Sequence, residues 1–171
     1  MRKYIILVSF LLFTNILIAQ NTPHPQGSVN NHPELNKFVG TWKWALGNDS
    51  LIVNLCKQSI LFPAPLNYYE EVLVGWHKYV KNGILIESLL QYSGLPYRGG
   101  NSTIFAGKRT DFKTFGSFKD LNMNKQCDLY LTILDITNTQ LNWRLRESRG
   151  LKPNNFQVGF TLPENIILIK Q

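Results

Sequence analysis

Apolar and polar residues alternate one for one along short stretches of this chain, and turn-forming residues interrupt them every few positions. Trp42, Trp44 and Leu46 alternate with Thr41, Lys43 and Ala45. After Gly47-Asn48-Asp49-Ser50 come Leu51, Val53 and Leu55, alternating with Ile52, Asn54 and Cys56. Successive side chains of a strand point to opposite faces, so a period of two commits a segment to a strand with one buried face. No helical period of useful length competes with it. The best helix candidate is a turn or two at Pro33 to Phe38, where Glu34 would suit the N-terminal end.

Three hairpins follow from pairing arithmetic. In the first, Gly47 opposite Ser50 sets Leu46 against Leu51, Trp44 against Val53 and Trp42 against Leu55, which puts the strongly apolar pairs on one face. The second joins Val72–Val80 to Ile84–Gln91 through Lys81-Asn82-Gly83. Asn-Gly between apolar runs is the signal of a type I′ turn, which needs positive φ at both residues. With Lys81 opposite Ile84, Lys78 faces Glu87, His77 faces Ser88 and Trp76 faces Leu89. Both faces of this pair are amphipathic, which suits a wall with a core on one side and partial cover on the other. The third sets Leu129, Leu131 and Ile133 against Leu141, Trp143 and Leu145 across the loop Asp135 to Thr139. A last strand spans Ile166 to Lys170, with Phe156, Val158 and Phe160 as its expected partner. Ile104 to Lys108 reads as a strand, and Asp111 to Gln126 is weakly specified.

About eight to ten strands at short spacing is the signature of an all-β barrel or sandwich. An antiparallel up-and-down barrel is the first expectation, because closure removes exposed edges and suits the small domain. A two-sheet β-sandwich is the alternative.

The first 19 residues read as a signal peptide. Arg2 and Lys3 precede an apolar run of 14 positions, Ile5 to Ile18, and small Ala19 closes it. A membrane span needs about 20 apolar residues. Cleavage is expected between Ala19 and Gln20, and no Cys stands there to make a lipoprotein. The expected divisions are therefore a signal at 1–19, a flexible Asn-, Gln- and Pro-rich leader at 20–35, and one β domain at 36–171. Taking Arg2 and Lys3 from the formal charge of +7 leaves +5. A basic exported protein meets anionic envelope polymers first, although the same charge also serves plain solubility. No nucleic-acid motif is present.

Cys56 and Cys127 allow one intramolecular pairing, which export would permit. It would close a loop of about 70 residues and contribute about 4 kcal/mol in the chain-entropy model. Two buried free thiols are the other outcome. Neither cysteine has a second ligand at zinc spacing, and no metal or cofactor is expected.

Little in the chain suggests catalysis. His24 and His32 fall in the leader. His77 sits mid-strand opposite Ser88, a flat pair without the sharp turn or oxyanion hole that a nucleophile needs. Glu70 and Glu71 are adjacent on a strand and so point apart, which excludes a glycosidase pair. Lys78 and Glu87 read as a cross-strand ion pair. Arg144, Arg146, Arg149 and Lys152 form the densest basic cluster, with Arg144 and Arg146 on one strand face. Pro96-Tyr97-Arg98-Gly99-Gly100-Asn101 reads as an exposed loop.

Phe38-Val39-Gly40-Thr41-Trp42 resembles the Gly-x-Trp opening of lipocalins and related calycin barrels, in which the Trp caps one barrel end. More of the chain is similar to a domain-of-unknown-function family of secreted Gram-negative bacterial proteins. That similarity rests on Lys37 to Trp42, on Asn48-Asp49-Ser50-Leu51, and on Phe160 to Leu168 ending in Lys170-Gln171. The resemblance implies an exported, lipocalin-like β domain and carries no reaction. The expected function is a non-catalytic, monomeric, periplasmic or secreted barrel that binds a small apolar or amphipathic ligand, with Trp42, Trp76, His77 and Tyr79 as the candidate ligand residues. The alternative is a filled barrel that meets a protein or an envelope glycan through its surface.

Overall fold

The computed structural model describes residues 25–98, 100–149 and 156–171. The expected signal segment, the Ala19–Gln20 cleavage point, His24 and Lys152 lie outside them. The strands are β1 (Val29–Asn30), β2 (Gly40–Leu46), β3 (Asp49–Phe62), β4 (Tyr68–Lys81), β5 (Ile84–Ser88), β6 (Ile104–Thr110), β7 (Lys113–Asp120), β8 (Lys125–Ile133), β9 (Gln140–Glu147) and β10 (Asn165–Lys170). Short 3₁₀ turns occupy Pro33–Lys37 and Leu90–Tyr92.

Eight of the strands close an antiparallel barrel in the order β2-β3-β4-β6-β7-β8-β9-β10. The last strand returns to the first, with Ile169 against Lys43 and Lys170 against Trp42. This is the up-and-down barrel read from the strand spacing. The long β4 pairs with β3 along its whole length and divides its other edge among three partners. Tyr69 and Glu70 take the parallel β1, Leu73 to Gly75 take β6, and Lys78 to Lys81 take β5. At Gly116 an added β-carbon would stand 2.1 Å from the Phe105 carbonyl oxygen and 2.4 Å from the Ala106 Cα. Only glycine allows β6 and β7 to approach so closely.

The interior is packed. Trp42, Trp143, Phe118, Phe38, Leu51 and Leu131 are all fully buried in one apolar cluster drawn from around the wall. An eight-stranded barrel is just wide enough for side chains to fill. Phe118 and Trp143 meet edge to face at 5.4 Å. The Trp143 indole N–H is buried without a hydrogen-bond partner, a local cost of about 1–3 kcal/mol. A second, smaller cluster lies outside the wall, where Val72, Val74 and Trp76 are covered by Leu89, Leu90, Tyr97 and neighbours. The two-sided reading of β4 is thereby accounted for.

Several details of register differ from expectation. In the first hairpin Leu46 faces Asp49, Trp44 faces Leu51 and Trp42 faces Val53. The loop is the two residues Gly47-Asn48, with Gly47 at φ +58°. Each partner is therefore displaced by two positions, which leaves every side chain on its expected face. The neighbouring turn holds this one: the Asn82 N–H donates to the Asp49 carboxylate at 2.6 Å, and the Gly83 N–H to the Asn48 carbonyl at 2.9 Å.

In the second hairpin Asn82 and Gly83 both have positive φ, as a type I′ turn requires, and Lys81 faces Ile84. A bulge then intervenes, so that Val80 faces Leu85 but Tyr79 faces Glu87. That one-residue slip carries Glu87 to the interior side and sets Lys78 against Ser88. The expected Lys78–Glu87 and His77–Ser88 pairs do not form. The third hairpin keeps its expected register throughout.

At the C-terminus, 156–162 is irregular and does not pair with β10. Both edges of β10 are occupied, one by β2 and the other by β9. Within the stretch read as weakly specified lies β7.

The part of the expected leader that is described, residues 25–35, is built into the domain. Beyond the β1 pairing, Leu35 is fully buried. The His32 ring meets Glu70, and the His32 backbone N–H donates to the Glu71 carboxylate. Burial pushes the Glu71 carboxyl up, but hydrogen bonds from Lys57 and from the His32 N–H outweigh it and leave it below its ordinary value. Glu34 is lowered chiefly by the hydrogen bond from Lys108. Composition alone concealed this segment, because its attachment is mainly polar.

The cysteines are free, so of the two outcomes the pairing of Cys56 with Cys127 does not form. Cys56 follows inward-facing Leu55 and belongs to the outer cluster, whereas Cys127 lies buried in alternation with interior Leu129. They stand on opposite faces of the wall. Burial pushes the Cys127 thiol up to about 12, and a thiol held protonated is a poor nucleophile. Native protein should therefore react with Ellman's reagent through Cys56 alone, and through both thiols after denaturation. A mass deficit of about 2 Da relieved by reductant would contradict this placement.

Candidate functional site

Three of the four candidate ligand residues face the interior and the fourth does not. Trp42 lies at one end of the barrel, where its indole N–H donates to the Phe38 carbonyl at 2.8 Å and Lys170 Nζ stands 5.2 Å from its ring centre. Tyr79 is buried, and burial followed by the charge of Asp49 raises its phenol above the ordinary value. His77 is wholly buried. Trp76 points to the other side of the wall, beneath the loop after β5, and its N–H donates to the Asn101 carbonyl at 2.6 Å. The four therefore do not line one cavity.

The chemistry around His77 was not legible in advance. Its Nδ1 lies 2.8 Å from Thr103 Oγ1 and its Nε2 lies 2.7 Å from Glu87 Oε1. In the tautomer protonated at Nε2, the ring donates to the carboxylate through Nε2–H and accepts a hydrogen bond from the Thr103 hydroxyl at Nδ1. The second Glu87 oxygen accepts the Asn122 N–H at 2.8 Å, and the His77 ring meets Phe118 edge-on at 5.0 Å. Glu87 is here only because of the β4–β5 bulge, for which the sequence carries no local signal.

A second buried carboxylate repeats the pattern nearby. Asp120 accepts the Met123 N–H and both the N–H and hydroxyl of Thr161. An acid–imidazole–hydroxyl chain has the connectivity of a nucleophile relay. Thr103, however, is only 3% exposed. The network has a mechanical consequence. It ties β4, β5, the approach to β6 and the β7–β8 turn together at one end of the barrel.

The outer wall offers exposed chemistry. Cross-strand partners place Phe115, Tyr130 and Arg144 in one row, and Lys113, Thr132 and Asn142 in the next. Lys113, Tyr130, Thr132, Asn142 and Arg144, with Arg109 and Arg146, line a groove of about 270 Å³. Phe115 and Tyr130 meet at 4.9 Å, and the Arg146 guanidinium lies 5.5 Å from the Tyr130 ring centre. On the adjoining row Asp128 stands between Ser117 and Arg146, and its carboxylate accepts the Ser148 hydroxyl at 2.8 Å. Among the described residues, no carboxylate stands within ion-pair distance of Arg109, Lys113, Arg144 or Arg146. Arg144 and Arg146 share the expected face, while Arg109 and Lys113 join them only through the barrel pairing.

Among the described residues, no cluster of His, Cys, Asp and Glu is placed to hold a metal ion. No helix there is long and apolar enough to cross a membrane.

Substituting His77→Ala should cost about 3 kcal/mol or more in urea unfolding, since it strands the buried Glu87 and Thr103 groups. A loss below about 1 kcal/mol would refute the network's structural role.

No curated protein and no solved structure matches this chain. One family model does, over residues 1–171, and the chain belongs to that family, a family of unknown function designated DUF6705.

Proposed function

We propose that this protein is an exported, non-catalytic, monomeric β-barrel that acts through its outer face by binding an anionic envelope glycan. The observation that carries this reading is the groove in which Arg109, Lys113, Arg144 and Arg146 converge with no carboxylate of the described residues at ion-pair distance. Four like charges held together repel one another, and an anionic ligand relieves that repulsion. The exposed Phe115–Tyr130 pair adds a surface on which the apolar face of a sugar ring can lie.

Interior packing favours the outer surface over the lumen as the binding region. Trp42, Phe118 and Trp143 occupy the space that an apolar ligand would need. The signal-like first 19 residues, and the positive charge that remains without them, are in keeping with an encounter in the periplasm or outside the cell.

Calorimetric titration with polygalacturonate, with dextran as the neutral control, tests the reading. The acidic polymer should bind, the affinity should fall as salt screens the groove, and R144E/R146E should lose at least tenfold. Unchanged affinity in the folded double variant would contradict it.

A further inference from the structure

Beyond the basic groove, the same outer wall holds a second cleft of about 370 Å³, a size suited to a small ligand. Its floor is the outside of β6, β7 and β8, with Phe105, Ser117, Lys119 and Gln126. Its walls are Tyr97 and Ser102 from the loop before β6, and Asn124 from the β7–β8 turn. Tyr97 and Phe105 meet at 5.1 Å.

We infer that this cleft is a binding site for a single sugar ring bearing an acidic group, a uronic acid or a sugar phosphate. Sugars combine apolar C–H faces with a rim of hydroxyls. The cleft matches both, with two aromatic rings and with hydroxyl and amide side chains around them. Among the described residues, the side-chain polar atoms of Ser102, Ser117, Lys119, Asn124 and Gln126 have no hydrogen-bond or ion-pair partner, although Ser102 is only 9% exposed. Lys119 supplies the charge. The other lysine at the cleft, Lys125, is already bound to Glu147 and to the Gln157 carbonyl, each at 2.9 Å.

Both walls are held before any ligand arrives. The Tyr97 N–H donates to Gln58 Oε1 at 2.7 Å, and the Gln58 amide donates to the Leu95 carbonyl at 2.9 Å. Asn101 closes the loop through the Pro96 carbonyl, the Arg98 N–H and the Trp76 indole. Behind the opposite wall, Glu87 holds the Asn122 N–H. The buried Thr103–His77–Glu87 chain thus links the segment before β6 to the β7–β8 turn. Preformed walls spare the ligand the cost of ordering them.

The inference rests on the proposed glycan reading and narrows it. From Lys113 to Lys119 the outer face of β7 runs about 20 Å, past Phe115 and Ser117, so a ring in the cleft would lead toward the groove.

The test is a ¹H–¹⁵N NMR titration with glucuronate, glucose 6-phosphate and neutral glucose, run beside tetragalacturonate. Acidic monosaccharides should shift the amides of Ser102, Ser117, Lys119 and Gln126, with glucose weaker by at least fivefold. K119Q and Q126A should each weaken them about fivefold, while R144E/R146E leaves single rings unaffected. Stronger binding of glucuronate or of the phosphate would identify the acidic group. No shift at these amides with either acid overturns the inference. Tetragalacturonate binding that falls in R144E/R146E but not in K119Q or Q126A also overturns it and leaves the groove standing. Single-ring binding at the cleft with no polymer affinity for the groove supports the cleft and removes the broader reading.

Discussion

The return of β10 to β2 is the constraint on which the rest of this molecule depends. A sheet of eight twisted strands left open would expose an unpaired backbone edge on β2. Inserting Asn165–Lys170 between β9 and β2 closes that edge and forces the alternating residues of every strand into a common interior. Trp42, Trp143 and Phe118 then fill it. Closure also explains why the residues before Pro163 do not pair with β10, which has no free edge left for them.

A filled lumen moves the interesting chemistry to the wall. On its outside lie unpaired cations, half-exposed aromatics and a cleft of uncommitted polar groups. On its inside, at one end, lie two carboxylates, an imidazole and two threonines that bind one another and the nearby turns. Buried polar groups are costly unless satisfied, and a satisfied network specifies geometry as apolar packing does not. Here that network joins β4 and β5 to the segment before β6 and to the β7–β8 turn.

Much of this fold could be read from residue order, and the limits have physical reasons. The alternation in Leu129–Ile133 and Leu141–Leu145 gave both face and register, since apolar residues occupy every inward position. The first hairpin kept its faces but not its register, because a shift of two residues preserves the pattern that guided the pairing. The second failed at one bulge, and that bulge decides where Glu87 points. Of the site residues, Arg144 and Arg146 could be joined by spacing. Arg109, Lys113, Thr103 and Asp120 could not, because long-range pairing alone brings them together. The Cys56–Cys127 bridge failed for a related reason: parity on two distant strands sets which side of a wall each thiol occupies. Residues 25–35 looked unable to order themselves, and by themselves they would be. They dock by hydrogen bonds to Glu70 and Glu71, which no local composition reveals.

The most direct measurement of barrel closure is native-state amide hydrogen exchange, resolved residue by residue. Amides of β10 that donate to β2 or β9 should exchange only through global unfolding, with the same protection as the ladders of β8 and β9. Exchange of β10 at a much lower free energy, with β2 behaving as an open edge, would contradict closure and the packed interior that follows from it.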